Sequence, residues 1–125
     1  MYTIGEVAKK FHISTYTLRY YEKEGIIESI RTEHGERRYD ESHIKWIEFV
    51  LILRETQMPI AQIKTYAMLA KEGEQTTSKR LHLLKSHLLS IQQQIRMLES
   101  TEKMVLKKVD TYEKYLRKND YHKEK

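Results

Sequence analysis

From Leu81 to Leu116 an apolar position recurs at alternating steps of three and four residues: Leu81, Leu84, Leu88, Ile91, Ile95, Leu98, Glu102, Val105, Val109, Tyr112 and Leu116. Ten of these eleven are apolar or aromatic, whereas average composition would supply roughly four. Neither proline nor glycine follows Gly73. That period is the seam of a coiled coil, so the segment reads as one long helix, roughly 60 Å from residue 77 to 118 at 1.5 Å per residue. Such a helix alone would leave its stripe in water, so it requires a partner. Leu81, Leu84, Leu88, Ile91, Ile95, Leu98, Val105, Val109 and Tyr112 are the expected dimerisation residues. The alternative is a helical hairpin broken near Ser100–Glu102. Lys85, His87, Gln92, Gln94 and Glu99 flank the seam with mixed chemistry, which leaves parallel and antiparallel pairing open. Glu102, the one polar seam position, either fixes register or marks where the helices diverge.

Upstream, the pattern changes to short helices. Thr3 and Glu6 have capping-box spacing, and Ile4, Val7, Ala8 and Phe11 follow at helical intervals. After a turn at His12-Ile13, Ser14 caps a second helix, Thr15 to Lys23, with Leu18 and Tyr21 inward. Gly25 stands where a left-handed residue closes a helix, and Ile26-Ile27 can fold back. Two short helices about a tight turn form a helix-turn-helix pattern, although any small helical hairpin shares it. Residues 29–32 and 36–39 flank Glu33-His34-Gly35 as a hairpin, which in this place reads as a wing. Asp40 caps a third helix, from Glu41 to about Thr56, apolar at Ile44, Ile47, Val50, Leu51 and Leu53. Pro59 opens a fourth, whose inner face is Ile60, Ile63, Ala67, Leu69 and Ala70. The expected organisation is therefore mainly α: a winged helix-turn-helix domain with two additional helices over 1–73, a coiled-coil dimerisation helix over 74–118, and a charged, disordered tail over 119–125.

Composition excludes several classes. With no cysteine, a disulfide framework, a thiolate metal site and a cysteine nucleophile are ruled out. No window approaches 18 consecutive apolar residues, so no membrane partner is expected. The N-terminus lacks the basic and apolar regions of a signal peptide, which leaves a cytoplasmic, nucleoid-associated location as the expectation. A glycine-rich phosphate loop, a nucleophile with a matched base and an HExxH motif are all missing, so no enzyme chemistry and no cofactor are expected. His82 and His87 are five apart and share no helix face, and no metal site is expected.

The net charge of +5 is uneven. Residues 1–73 carry 11 Lys/Arg and 11 Asp/Glu, whereas residues 74–125 carry 12 and 7. Nucleic-acid binding cannot then rest on overall charge; it rests on where the N-terminal cations lie. Tyr16, Thr17, Arg19, Tyr20 and Lys23 crowd the polar part of the second helix, and Arg37 and Arg38 sit on the wing. Arginine can read guanine O6 and N7 or hold phosphate, and Tyr and Thr hydroxyls hold phosphate oxygens. A solvated face is the plainer alternative, and it is the better reading of Tyr21, which suits the core.

The run Ile4-Gly5-Glu6-Val7-Ala8, then Ser14 with Leu18-Arg19-Tyr20-Tyr21-Glu22 and Gly25-Ile26-Ile27, then Arg37-Arg38-Tyr39, resembles the MerR family of bacterial transcription regulators. The resemblance covers residues 2 to about 70, and the long helix fits its plan. It implies a winged helix-turn-helix, two further helices and a helix that pairs antiparallel with its copy in a homodimer. It further implies binding to inverted repeats in promoters with an overlong spacer, which the dimer bends and untwists so that RNA polymerase engages both elements. The family's recognition-helix contacts fall on Tyr16, Thr17, Arg19 and Tyr20, its wing arginine on Arg37, and the basic residue that ends the third helix on Arg54. With Ser14, Lys23 and Arg38 these are the expected DNA-binding residues. The chain is similar to the aldehyde- or electrophile-responsive branch, but Ile52 stands where that branch carries a cysteine. Ile52 is expected to pack beside Phe49 and Leu53. A DNA-architectural factor of the excisionase type and a coiled-coil adaptor without nucleic acid are the competing readings. The long seam counts against the first and the arginine–tyrosine cluster against the second.

Overall fold

The computed structural model describes residues 1–124, with side chains through Asp120. The elements in order are β1 (Tyr2–Thr3), α1 (Ile4–Phe11), α2 (Thr15–Lys23), β2 (Ile30–Arg31), β3 (Arg37–Tyr39), α3 (Glu41–Glu55), α4 (Ile60–Glu72), a 3-10 turn (Glu74–Thr76) and α5 (Thr77–Glu124). They form two compact units, Met1–Lys85 and Ser86 onward. No helix among the described residues is long and apolar enough to cross a membrane.

The first unit is set by its helix ends. Thr3 Oγ1 accepts from the Glu6 amide at 3.1 Å, while Glu6 accepts from the Thr3 amide at 2.9 Å, the reciprocal box read from sequence. His12, with φ +56°, reverses the chain, and Ser14 Oγ accepts from the Thr17 amide at 3.0 Å to start α2. Gly25 ends that helix at φ +75°, and the Ile26 amide donates back to the Tyr21 carbonyl at 2.9 Å. An L side chain is strained at that φ, which is why glycine stands there. Ile26 and Ile27 are thereby buried with Val7, Leu18, Tyr39, Ile47, Val50, Met58 and Ile63 in one core. Trp46 Nε1 donates to the Ile26 carbonyl at 2.7 Å, and its ring stacks on Tyr66 with centroids 5.8 Å apart.

Several features depart from the sequence reading. β1 was not foreseen: it adds an antiparallel edge beside β3, giving the order β1–β3–β2, with Tyr2 opposite Tyr39 and Arg31 opposite Arg37. Two residues carry too little periodicity to announce a strand. Ile52 is 49% exposed instead of packed with Leu53, because 100° per residue turns it away from the Ile44–Ile47–Val50 face. The first unit also continues past Gly73 to Lys85. Thr76 Oγ1 donates to the Leu69 carbonyl at 2.6 Å, Arg80 Nε donates to Thr76 Oγ1 at 3.0 Å, and Leu84 packs against the core.

The second unit is the remainder of α5, one helix without a break at Ser100–Glu102. It runs through Glu124, so the expected disordered tail is helical to that residue; Lys125 lies outside the described residues. Leu88, Ile95, Leu98, Val105, Val109, Tyr112 and Leu116 are all exposed, whereas Ile91 is half-buried.

Tyr39 carries an orphan group. Its side chain is fully buried, and its hydroxyl meets no hydrogen-bond partner among the described residues. Burial pushes the phenol pKa up, and the nearby Glu22 charge adds to the shift. An unsatisfied buried hydroxyl costs free energy that an isosteric apolar ring avoids. Tyr39→Phe is therefore expected to leave the thermal unfolding midpoint unchanged or raised. A midpoint lowered by several degrees would instead show that the hydroxyl is satisfied by bound water.

Candidate nucleic-acid interface

The turn at His12 and the cap at Ser14 fix α2 so that Leu18 and Tyr21 face the core. The opposite side then has to carry the polar residues. Tyr16 is 74% exposed, and Arg19, Tyr20 and Lys23 are exposed beside it. Tyr20 packs on Tyr21 with ring centroids 5.9 Å apart and the rings tilted by 49°. Arg19 reaches back only weakly, to Thr15 Oγ1 at 3.4 Å, so its guanidinium keeps donors available. Tyr21 is in the core, as its spacing implied; burial raises its phenol pKa and the Arg54 charge opposes that shift.

The wing approaches the same side. A cleft of about 310 Å³ is lined by Thr3, Ile4, Arg19, Gly35, Glu36, Arg37 and Arg38, so one cation of α2 and two of the wing converge on it. Arg38 donates to Glu36 at 2.9 Å and to the Arg37 carbonyl at 3.0 Å, which orders its guanidinium across the cleft. Of the other expected residues, the Ser14 and Thr17 hydroxyls share a hydrogen bond at 2.9 Å, and Ser14 Oγ also accepts from the Thr17 amide at 3.0 Å. Arg54 is exposed at the end of α3, donating to the Met58 carbonyl at 3.4 Å, and does not line the cleft.

Sequence reasoning missed two residues here. Glu22 accepts from Arg37 Nε at 2.6 Å, from Arg31 Nη2 at 2.9 Å, and from the Ser29 hydroxyl. Burial pushes this carboxyl up, but the hydrogen bonds from Ser29 and Arg37 and the charges of both arginines outweigh it and hold the pKa below the usual value. Arg31 also donates to the Gly35 carbonyl at 3.0 Å, across the tip of the wing. No local signal singles Glu22 out: residues 22–38 hold five acids and three arginines, and only the hairpin turn brings this carboxylate to Arg31 and Arg37.

A family model described as MerR HTH family regulatory protein matches residues 2–68, and a second, described as MerR, DNA binding, matches residues 44–107. An uncharacterised HTH-type transcriptional regulator of Haemophilus influenzae is 32% identical over 114 residues, spanning 90% of this chain and 84% of that protein. The chain belongs to the MerR family. The HTH-type transcriptional regulator AdhR of Bacillus subtilis is 42% identical to this MerR-family chain over 82 residues, 65% of the chain and 59% of AdhR. A crystal structure of HiNmlR, a MerR family regulator lacking the sensor domain, bound to promoter DNA, superposes with a TM-score of 0.85 at 32% identity over 90% of each chain. As a MerR-family member the chain is an HTH transcription regulator, which decides against the architectural and adaptor readings.

Proposed function

We propose that this regulator binds an inverted repeat in promoter DNA as a homodimer, with α2 in the major groove and the wing on the flanking backbone. The observation that carries this reading is the convergence of Arg19, Arg37 and Arg38 on one cleft beside exposed Tyr16, Tyr20 and Lys23. The charges of the first 73 residues sum to zero, yet these cations are gathered on one side, as duplex binding needs. The exposed seam of α5 supports dimerisation, because an apolar stripe of that length is stable in water only when covered. Arg54 holds phosphate near the operator centre. The dimer bends and untwists the spacer, so that RNA polymerase engages both promoter elements. With no cysteine in the sequence, an inducer cannot act through a thiol adduct, and the response comes through a noncovalent ligand, a partner protein or the protein's own abundance.

Selection of genomic fragments by the purified protein, followed by circular-permutation gels on the selected operator, tests both binding and distortion. An operator with two inverted half-sites is expected, together with mobility that depends on where the site lies in the fragment. Central base pairs that no side chain reaches should also influence affinity, because their deformability sets the bending cost. A straight operator in the complex would remove the distortion step and leave simple repression.

A further inference from the structure

The sequence assigns Arg37 to the DNA by resemblance, but the structure gives it another partner first. Its guanidinium is paired to Glu22 at 2.6 Å, and the two side chains are only 22% and 18% exposed. The same carboxylate takes Arg31 at 2.9 Å and the Ser29 hydroxyl, so one residue of α2 ties down the loop before β2, β2 itself and β3. Without it, two arginines on a two-stranded hairpin would repel each other across the pair Arg31–Arg37, which are directly opposed in register. A second acid two residues on, Glu24, holds Lys64 of α4 at 2.8 Å, so the end of α2 is anchored on both sides.

We infer that Glu22 is a specificity-determining positioning residue, which fixes the angle between recognition helix and wing and withholds Arg31 and Arg37 from indiscriminate phosphate contact. It rests on the operator-binding reading above. A wing locked to the helix can meet the backbone only where α2 also meets its bases, so a DNA lacking the right bases loses both sets of contacts together. A wing released from Glu22 carries two mobile guanidinium groups that any duplex can engage. Each guanidinium that then reaches a phosphate steepens the dependence of log K on log salt by about 0.9.

The test is Glu22→Gln, which keeps the shape and removes the charge. Its folding is verified by circular dichroism, and its affinity for the selected operator and for a random duplex is measured across a salt series. Random-duplex affinity is expected to rise several-fold at low salt with a steeper slope, while the operator-to-random ratio falls about tenfold. In the free protein, amide exchange across residues 29–38 should quicken. A folded variant with unchanged slope and ratio overturns the inference, as does an equal loss of affinity for both DNAs. Should Glu22→Gln not fold, Ser29→Ala removes one of the three ties and is expected to move the same readouts in the same direction by less; no movement overturns the inference. Wild-type protein that prefers no operator would instead sink the regulator reading itself, and this inference with it.

Discussion

Ile95→Glu is expected to turn the protein into a monomer and to weaken operator binding by two or more orders of magnitude. Ile95 lies mid-seam and is 49% exposed on the single chain, flanked one heptad away by exposed Leu88 and within one turn by exposed Leu98. In a paired helix, each copy of the new carboxylate would be buried in an apolar layer without a cation, a penalty of several kcal/mol per ion. Dissociation relieves it by returning the charge to water. DNA binding falls with the dimer, because two linked half-site contacts gain about 10²–10⁴ in avidity over one. Sedimentation equilibrium at micromolar concentration reads the first effect and gel shift the second. A variant that remains dimeric would place the interface elsewhere on α5. Leu84 is a weaker choice of position, since it already packs on the core of the first unit and its loss would confuse dimerisation with folding.

How far the fold was legible in the sequence depended on what each feature needs. Helix ends were readable because their chemistry is local: Thr3 with Glu6, Ser14 with Thr17, and Gly25 at positive φ are all settled within a few residues. The unbroken α5 was readable because its period is sustained over many heptads. β1 was not, since its existence depends on β3, more than 30 residues away. Gln57, at φ +74°, was likewise missed: glycine is the usual residue at such a helix end, and here the Gln57 and Met58 amides close α3 by donating to the Arg54 and Leu53 carbonyls at 3.0 and 2.9 Å. At the site, the exposed residues of α2 followed from periodicity alone, because burying Leu18 and Tyr21 dictates what faces outward. The Glu22 cluster did not follow, because it is tertiary. A sequence shows Arg31 and Arg37 as cations, and only the hairpin reveals that one carboxylate holds both. Ile52 differs for another reason: an apolar side chain stays out of the core when the helical turn sets it on the outer side of α3.

Arg19→Ala is expected to cost operator affinity about 1–3 kcal/mol, or roughly ten- to a hundredfold, if the guanidinium makes a bidentate contact to a guanine edge. The geometry favours Arg19 over its neighbours. It leaves α2 on the exposed side, lines the cleft with Arg37 and Arg38, and is held only by a 3.4 Å bond to Thr15 that a base could easily replace. Arg37 is held by Glu22 at 2.6 Å and Arg38 by Glu36 at 2.9 Å, so each would have to give up a charged partner to turn to a base. Arg19 is exposed, so its truncation leaves no cavity and should not move the unfolding midpoint. The pattern of loss separates two roles. A base-reading Arg19 loses operator affinity while random-duplex affinity is nearly kept, and selection with the variant returns half-sites degenerate at one position. A phosphate-holding Arg19 weakens every duplex alike and flattens the salt slope by about one per contact. Lys23→Ala, one turn further along the same exposed side, is the comparison: a lysine there can supply only a point charge to phosphate, so it should show the second pattern. Unchanged operator affinity in Arg19→Ala would mean that α2 enters the groove with Tyr16 and Tyr20 leading, and that the cleft beside the wing faces solvent.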